Sequence, residues 1–138
     1  MPKRGEIYLH TQYKYALGNI DDKYIIILND ISATQTSIAI LPATKYKFND
    51  SFKSGCLKGK FEFRLMENED FFPLKTILQI YTLNNVETSL IEEKDFIKLK
   101  NTGTIEYKGN LKDTTMKSLL DCIEYHKIDI DTDIIDLL

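Results

Sequence analysis

Aromatic and cationic side chains alternate in several short stretches of this chain of 138 residues. Tyrosine rings stack on unpaired bases and lysine side chains neutralise phosphates, so this combination is typical of surfaces that bind single-stranded nucleic acid. The tyrosines are Tyr13, Tyr15, Tyr24, Tyr46 and Tyr81, and the neighbouring lysines are Lys14, Lys45 and Lys47. Aromatic residues at strand ends also pack against a core or its rim, so both interpretations stay open.

Polar residues stand at the ends of the apolar stretches. Lys23 precedes a run of isoleucines that ends at Asn29 and Asp30, and Thr44 follows the apolar segment 38–43. Each apolar run predicts a short strand, so we expect these polar side chains at the rim of a small β-structure. The alternatives are a solvated lysine at a strand start and a threonine that bonds to its own backbone.

The histidines and cysteines give weaker chemical signals. Cys56 and Cys122 have no CxxC spacing and no obvious cluster of cysteine and histidine, which argues against a structural zinc site. His10 and His126 belong to no recognisable triad, and His10 is a candidate general base because it stands at a strand end. We therefore predict no metal and no cofactor, and a reducing cytoplasm is the simplest environment for the cysteines.

Composition indicates one globular domain, with 43% hydrophobic and 28% charged residues. A net charge of −3 argues against a generally basic nucleic-acid binder. The charge is uneven, however. Residues 1–60 carry nine lysines or arginines against five acidic residues, whereas residues 61–138 carry nine against sixteen. An anionic ligand is thus expected to prefer the first half, and scattered surface charge is the alternative.

No segment of the sequence predicts export or membrane insertion. The first residues lack the apolar core of a signal peptide, and no apolar run approaches the roughly 18 residues of a membrane span. We expect a soluble, cytoplasmic protein.

Strand signals dominate the first two thirds of the chain. The predicted strands are 6–10, 23–28, 37–41, 61–65 and 76–81. Segment 11–22 is predicted to be a polar loop, and Pro42 is predicted to end the third strand. Because an open sheet of this size would leave unpaired edges, we predict a small SH3-like barrel, mainly β with a C-terminal helix, in the α+β class.

Helical signals appear in the last third of the chain. Segment 86–91 is predicted to form one or two turns, and a longer helix is predicted to begin at Asp113 or Thr114. Its apolar residues fall on one face, as core residues do: Met116, Leu119, Leu120 and Ile123. Segment 128–138 alternates acidic and aliphatic residues and predicts an edge strand or a docking tail. The domain assignment is therefore 1–127 for the barrel and 128–138 for the tail.

Four motifs occur in order along most of the chain: Arg4-Gly5-Glu6-Ile7-Tyr8, segment 23–30 ending in Asn-Asp, Leu41-Pro42-Ala43-Thr44-Lys45, and segment 76–83 with its Gln-Ile pair. Together they resemble the MazF/PemK family of type II toxins. The resemblance implies the SH3-like barrel that this family shares with the CcdB toxins. It also implies a metal-independent endoribonuclease, which cuts single-stranded RNA with an arginine and a threonine and leaves a cyclic phosphate.

The resemblance also assigns roles to individual residues. Lys23 takes the place of the family's arginine and Thr44 that of its threonine, which makes both catalytic candidates. The RNA-binding candidates are Thr76, at the place of the family's serine, with Tyr24, Lys45, Tyr81 and Lys14. Lysine lacks the planar fork of arginine, Tyr24 replaces a family proline, and Tyr81 stands where the family often has arginine. The alternative is therefore a catalytically weak or inactive member of the fold that binds RNA or a protein partner.

The family resemblance implies two protein partners as well. One is a second copy of the chain, in a homodimer, and the other is a separate small antitoxin. Segment 128–138 has the acidic and apolar composition of an antitoxin segment and is either a shield for the chain's own groove or a solvated terminus. Gyrase poisoning in the manner of CcdB ranks last, because the C-terminal residues on which it depends have no match here.

Overall fold

One antiparallel sheet organises the chain in the computed structural model, which describes residues 2–14, 20–46 and 53–138. Its strands are β1 (Glu6–Lys14), β2 (Ile20–Ile27), β3 (Ser37–Lys45), β4 (Gly55–Leu57), β5 (Glu62–Leu65), β6 (Thr76–Leu78), β7 (Leu90–Glu92) and β8 (Ile105–Asn110). They follow the order β4-β5-β6-β3-β2-β1-β8, and β7 pairs with the start of β3. Among the described strands β4 and β8 end the sheet and do not pair, so the sheet is open rather than closed into a barrel.

The helices are α1 (Val86–Ser89), α2 (Glu93–Asn101), α3 (Asp113–Tyr125) and α4 (Thr132–Ile135), with 3₁₀ helices at Ile80–Asn84 and Lys127–Asp129. The expected α+β class is confirmed. Within the described ranges, none of these helices is long and apolar enough to cross a membrane.

The central strands are buried on both faces, which explains their unbroken apolar runs. On one face, called the α3 face, Ile26 and Leu41 share a core with Leu119 and Ile123 of α3. The predicted apolar stripe of this helix is therefore confirmed. On the opposite face, called the α2 face, a second core forms around Phe96 of α2. Its other fully or nearly buried members are Tyr8, Tyr13, Ile25, Ile27, Ile38, Ile40 and Ile105.

The first hairpin is longer than predicted. β1 runs on to Lys14 and β2 begins at Ile20, so much of segment 11–22 is strand and not loop. A register shift between His10 and Tyr13 marks a bulge in the pairing of the two strands. Cross-strand pairing satisfies the backbone whatever the polarity of the side chains, which is why composition alone was misleading.

Pro42 lies inside β3 instead of ending it. Its carbonyl accepts a hydrogen bond from the backbone N–H of Gln79, which lies just beyond the end of β6. In an antiparallel strand the N and the C=O of one residue point toward the same neighbouring strand. The nitrogen of Pro42 therefore points toward Gln79, where the pairing with β6 has already ended. The proline therefore costs no ladder hydrogen bond there.

The later predicted elements are also corrected. The strand predicted for 76–81 ends at Leu78, and the 3₁₀ helix that follows carries Tyr81. Segment 128–138 forms the end of a 3₁₀ helix and α4, not an edge strand. Ile130 and Ile134 of this segment are buried in the core on the α3 face.

A disulfide joins Cys56 of β4 to Cys122 of α3, with their Cα atoms 5.6 Å apart. It ties the end strand of the sheet to the helix that covers the α3 face. The two cysteines are 66 residues apart in sequence, so their spacing gave no sign of the pairing.

Gly109 of β8 meets Phe71 at very close range. A Cβ atom at position 109 would lie 2.8 Å from Cε1 of the phenylalanine ring, closer than van der Waals contact allows. The ring itself is held edge-on against Tyr24 and Phe72, with centroids 5.8 and 5.1 Å away. Only glycine leaves room for it.

We expect Asn29→Ala to lower the free energy of unfolding by about 2 kcal/mol, because it leaves buried backbone groups unpaired. Asn29 is 1% exposed and its Nδ2 donates to the Ser37 carbonyl at 2.9 Å, while its Oδ1 accepts from the Ala39 N–H at 2.8 Å. Urea unfolding measures the loss. Asn84→Ala, at an exposed position, is the matched control. Equal effects of the two substitutions would show that the buried hydrogen bonds contribute nothing.

Candidate functional site

Lys23 and Thr44 project from the same face of the sheet. Tyr24 pairs with Ala43 across β2 and β3, and Lys23 and Thr44 are the next residues beyond that pair. Side chains alternate along a strand, so Tyr24 and Ala43 point to the α3 face, where both join the core, whereas Lys23 and Thr44 point to the α2 face. The sequence-predicted catalytic pair is thus brought together.

The same row continues across the sheet to an arginine. Thr44 pairs with Ile77 of β6, and Ile77 pairs with Arg64 of β5. On the other side, Lys23 pairs with His10 of β1. We call His10, Lys23, Thr44 and Arg64 the polar row.

The two cations of the polar row project from the same face of the sheet, on strands three places apart. Neighbouring strands lie about 4.8 Å apart, so the backbones of Lys23 and Arg64 are separated by about 14 Å. Thr44 and Ile77 occupy the two positions of the row between them. Lys23 is 7% exposed and Arg64 5% exposed, so both cations are shielded from water, which strengthens their attraction for an anion.

Arg64 is held by a carboxylate and an aromatic ring. Its Nε and Nη2 donate to Oε1 of Glu62 at 3.2 and 3.0 Å, and its guanidinium lies 5.1 Å from the centre of the Tyr46 ring. These contacts fix the planar group in one orientation. Sequence reasoning missed Arg64, although the alternation in segment 61–65 places it on the face opposite the apolar Phe63 and Leu65.

Gln79 and Tyr81 lie beside this row. Gln79 is 9% exposed, its Nε2 donates to the Tyr81 hydroxyl at 2.6 Å, and its Oε1 has no hydrogen-bond partner among the described residues. In either orientation of the amide, one of its polar atoms is unpaired, which is costly for a buried group. Gln79 therefore has hydrogen-bonding capacity left for a ligand.

The Tyr81 side chain is half exposed, and its hydroxyl remains protonated at neutral pH. Burial raises the pKa of Tyr81; the hydrogen bond from Gln79 opposes this change, and the negative charge of Glu62 adds to it. The phenol therefore acts as a hydrogen-bond donor or a stacking surface and not as a base.

His10 is placed differently from a general base. Burial lowers its pKa, so the ring is neutral at pH 7. Its Nδ1 accepts the backbone N–H of Gln12 at 3.1 Å, which leaves the proton of the neutral ring on Nε2. Nε2 therefore donates a hydrogen bond and does not accept a proton, which does not suit the predicted role of His10 as a general base.

Three further predicted RNA-binding residues surround an apolar pocket of about 270 Å³ near the end of β3. Tyr24, Lys45 and Thr76 line it together with Thr44 and Phe72. The Tyr24 ring packs edge-on against Phe72 with centroids 5.6 Å apart. Tyr24 and Phe72 belong to the core on the α3 face, so the pocket lies on that face and the polar row on the opposite one.

Thr76 has a structural role, and the side chains of three other predicted residues are not described by the structure. Thr76 is 4% exposed and its hydroxyl donates to the Leu74 carbonyl at 2.8 Å, so it stabilises its own loop. The side chain of Lys14, and Tyr15 and Lys47 as a whole, lie outside the described residues.

Comparison with protein-family models, with curated proteins and with solved structures finds no match to this chain.

The polar row suits the binding of a phosphodiester. It presents an ammonium, a guanidinium and a hydroxyl from one face, and the buried amide of Gln79 lies beside them. Cations and hydroxyl donors in a shielded site stabilise negative charge that develops on phosphate oxygens.

Proposed function

We propose that the chain is an endoribonuclease of the MazF/PemK type, the toxin component of a type II toxin–antitoxin system. The observation that carries the proposal is the alignment of Lys23, Thr44 and Arg64 on one face of the sheet. The antiparallel sheet with the C-terminal helix α3 agrees with the α+β class that the sequence motifs imply, although the sheet is open and not a closed barrel.

The proposed reaction uses the 2′-hydroxyl of the RNA itself. This oxygen attacks the phosphorus, the bond from phosphorus to the 5′-oxygen breaks, and a 2′,3′-cyclic phosphate remains. Arg64 and the Thr44 hydroxyl stabilise the negative phosphorane. Glu62 takes the proton of the 2′-hydroxyl, and Lys23 donates a proton to the departing 5′-oxygen. General acid and base groups each contribute about 10²- to 10⁴-fold to rate.

Arg64 supplies what lysine at position 23 cannot. A planar guanidinium binds two phosphate oxygens at once, whereas an ammonium acts as a point charge. In this proposal Lys23, inside β2, and the guanidinium of Arg64 on β5 together perform the role that the family resemblance assigns to one arginine. The chain acts as a homodimer and is neutralised by a small antitoxin.

Incubation of the purified chain with a long single-stranded RNA in EDTA tests this function. We expect discrete fragments with 2′,3′-cyclic phosphate ends, and no fragments from the same RNA carrying 2′-O-methyl groups. Lys23→Ala and Thr44→Ala are expected to lose cleavage, whereas Lys94→Ala, at an exposed site on α2, keeps it. Intact RNA that stays bound to the protein would instead identify a binding member of the fold, and absence of both cleavage and binding would refute the proposal.

A further inference from the structure

Two cysteines and a histidine meet between β4 and α3. The potential ligand atoms of Cys56, Cys122 and His126 all lie within 4.8 Å of one another. Cys122 and His126 are four residues apart at the end of α3, a spacing that places two side chains on the same side of a helix. The sequence alone does not reveal this cluster, because Cys56 lies 66 residues before Cys122.

His126 carries the second observation. The residue is 4% exposed, and its Nε2 has no hydrogen-bond partner among the described residues. The ring packs against Phe61 with centroids 4.4 Å apart, which fixes its position. A buried imidazole nitrogen without a partner is costly unless a ligand occupies it.

The cluster borders a pocket on the side of Cys56. A pocket of about 390 Å³ is lined by Cys56, Glu69 and Thr115, among others. Cys56 is partly exposed, whereas Cys122 is 2% exposed. A small thiol or a metal ion therefore reaches the sulfur of Cys56 first.

We propose that Cys56, Cys122 and His126 form a zinc site that the disulfide closes and reduction opens. Two thiolates and an imidazole are ligands that Zn²⁺ prefers, and water completes a tetrahedral set. The oxidised pair cannot bind the ion in this way, because the thiolates are the metal ligands. The site is separate from the polar row, which lies on the other face of the sheet.

A dithiol reductant opens the site in two exchange steps. One of its thiolates attacks the sulfur of Cys56, the bond to Cys122 breaks, and Cys122 leaves as a thiolate. The second thiol of the reductant then attacks the mixed disulfide and releases Cys56. The reductant becomes a disulfide, its two electrons reside on the cysteine sulfurs, and Zn²⁺ displaces the remaining thiol protons.

Metal titration of the full chain in its two redox states tests the proposal. The protein is reduced with a phosphine that binds metal weakly, and Co²⁺ is added without oxygen, followed by Zn²⁺. We expect one Co²⁺ per chain, with the visible absorption bands of a tetrahedral thiolate site, and displacement of Co²⁺ by Zn²⁺. The disulfide form is expected to show no bands. This comparison needs no substitution and so does not depend on the folding of a variant.

Substitutions then identify the histidine ligand. His126→Ala is expected to weaken Zn²⁺ binding by about 10- to 100-fold, as loss of a well-placed partner of a metal typically does. His10→Ala, which changes the other histidine of the chain, leaves the affinity unchanged. Reduced, folded protein that gives no Co²⁺ bands, or an affinity unaffected by His126→Ala, would overturn the proposed site.

Discussion

Replacing Arg64 with lysine is expected to reduce RNA cleavage by at least about 100-fold, which is the usual effect of removing one donor from a transition-state site. The positive charge remains, but the planar fork that spans two phosphate oxygens is lost. The hydrogen bonds from Nε and Nη2 to Glu62 are lost with it, so the carboxylate is no longer held in place. Initial cleavage rates on a fluorescent single-stranded RNA measure the effect.

The chain contains a matched control for this substitution. Arg4 is the only other arginine, and its Nε donates to the Leu28 carbonyl at 3.0 Å, away from the polar row. Arg4→Lys is expected to keep the cleavage rate. Since Arg64 is buried, urea unfolding of both variants establishes whether each is folded at the assay temperature. A folded Arg64→Lys protein that cleaves at the native rate would exclude Arg64 from the mechanism. Lys23 would then be the cation that stabilises the phosphorane.

Phe96→Ala is expected to have the largest effect on stability, a loss of about 3–5 kcal/mol in the free energy of unfolding. Phe96 is 1% exposed and is the only fully buried residue of α2. Its ring meets Tyr8 edge-on at 5.0 Å and fills the space between α2 and the isoleucines of β2 and β3. Removing it leaves a cavity and takes away the main contact of the helix with the sheet.

The neighbouring residue provides the comparison. Ile97 is 46% exposed, so Ile97→Ala is expected to cost less than about 1 kcal/mol. Urea unfolding gives both values, and amide hydrogen exchange shows whether α2 opens separately in the Phe96 variant. Similar losses for the two substitutions would mean that α2 is held by something other than this side chain.

The elements with strong periodicity were predictable from sequence. The apolar runs of β2 and β3 and the helical stripe of α3 correspond to observed elements because burial on one or both faces dictates those patterns. The extension of β1 through polar residues was not predictable, since cross-strand pairing and not composition holds it. Helix α2 was missed for a related reason: Phe96 alone is fully buried, so the helix lacks an apolar stripe.

The candidate site was predictable in part. Motifs near strand ends identified Lys23 and Thr44, and the sheet register places both on one face. Arg64 could not be assigned to them, because the pairing of β3 with β6 and of β6 with β5 is a tertiary property. The cluster of Cys56, Cys122 and His126 escaped notice for the same reason: one ligand comes from a strand and two come from a distant helix.

The contact between Gly109 and Phe71 restricts how this chain can diverge during evolution. A Cβ atom at position 109 would lie 2.8 Å from the phenylalanine ring. A larger residue is therefore tolerated there only if residue 71 is smaller or its side chain adopts another rotamer. Homologues are therefore expected to change the two positions together: those with alanine or larger at position 109 carry a smaller side chain at position 71. Covariation of positions 71 and 109 would therefore help to recognise distant homologues whose overall sequence similarity is low.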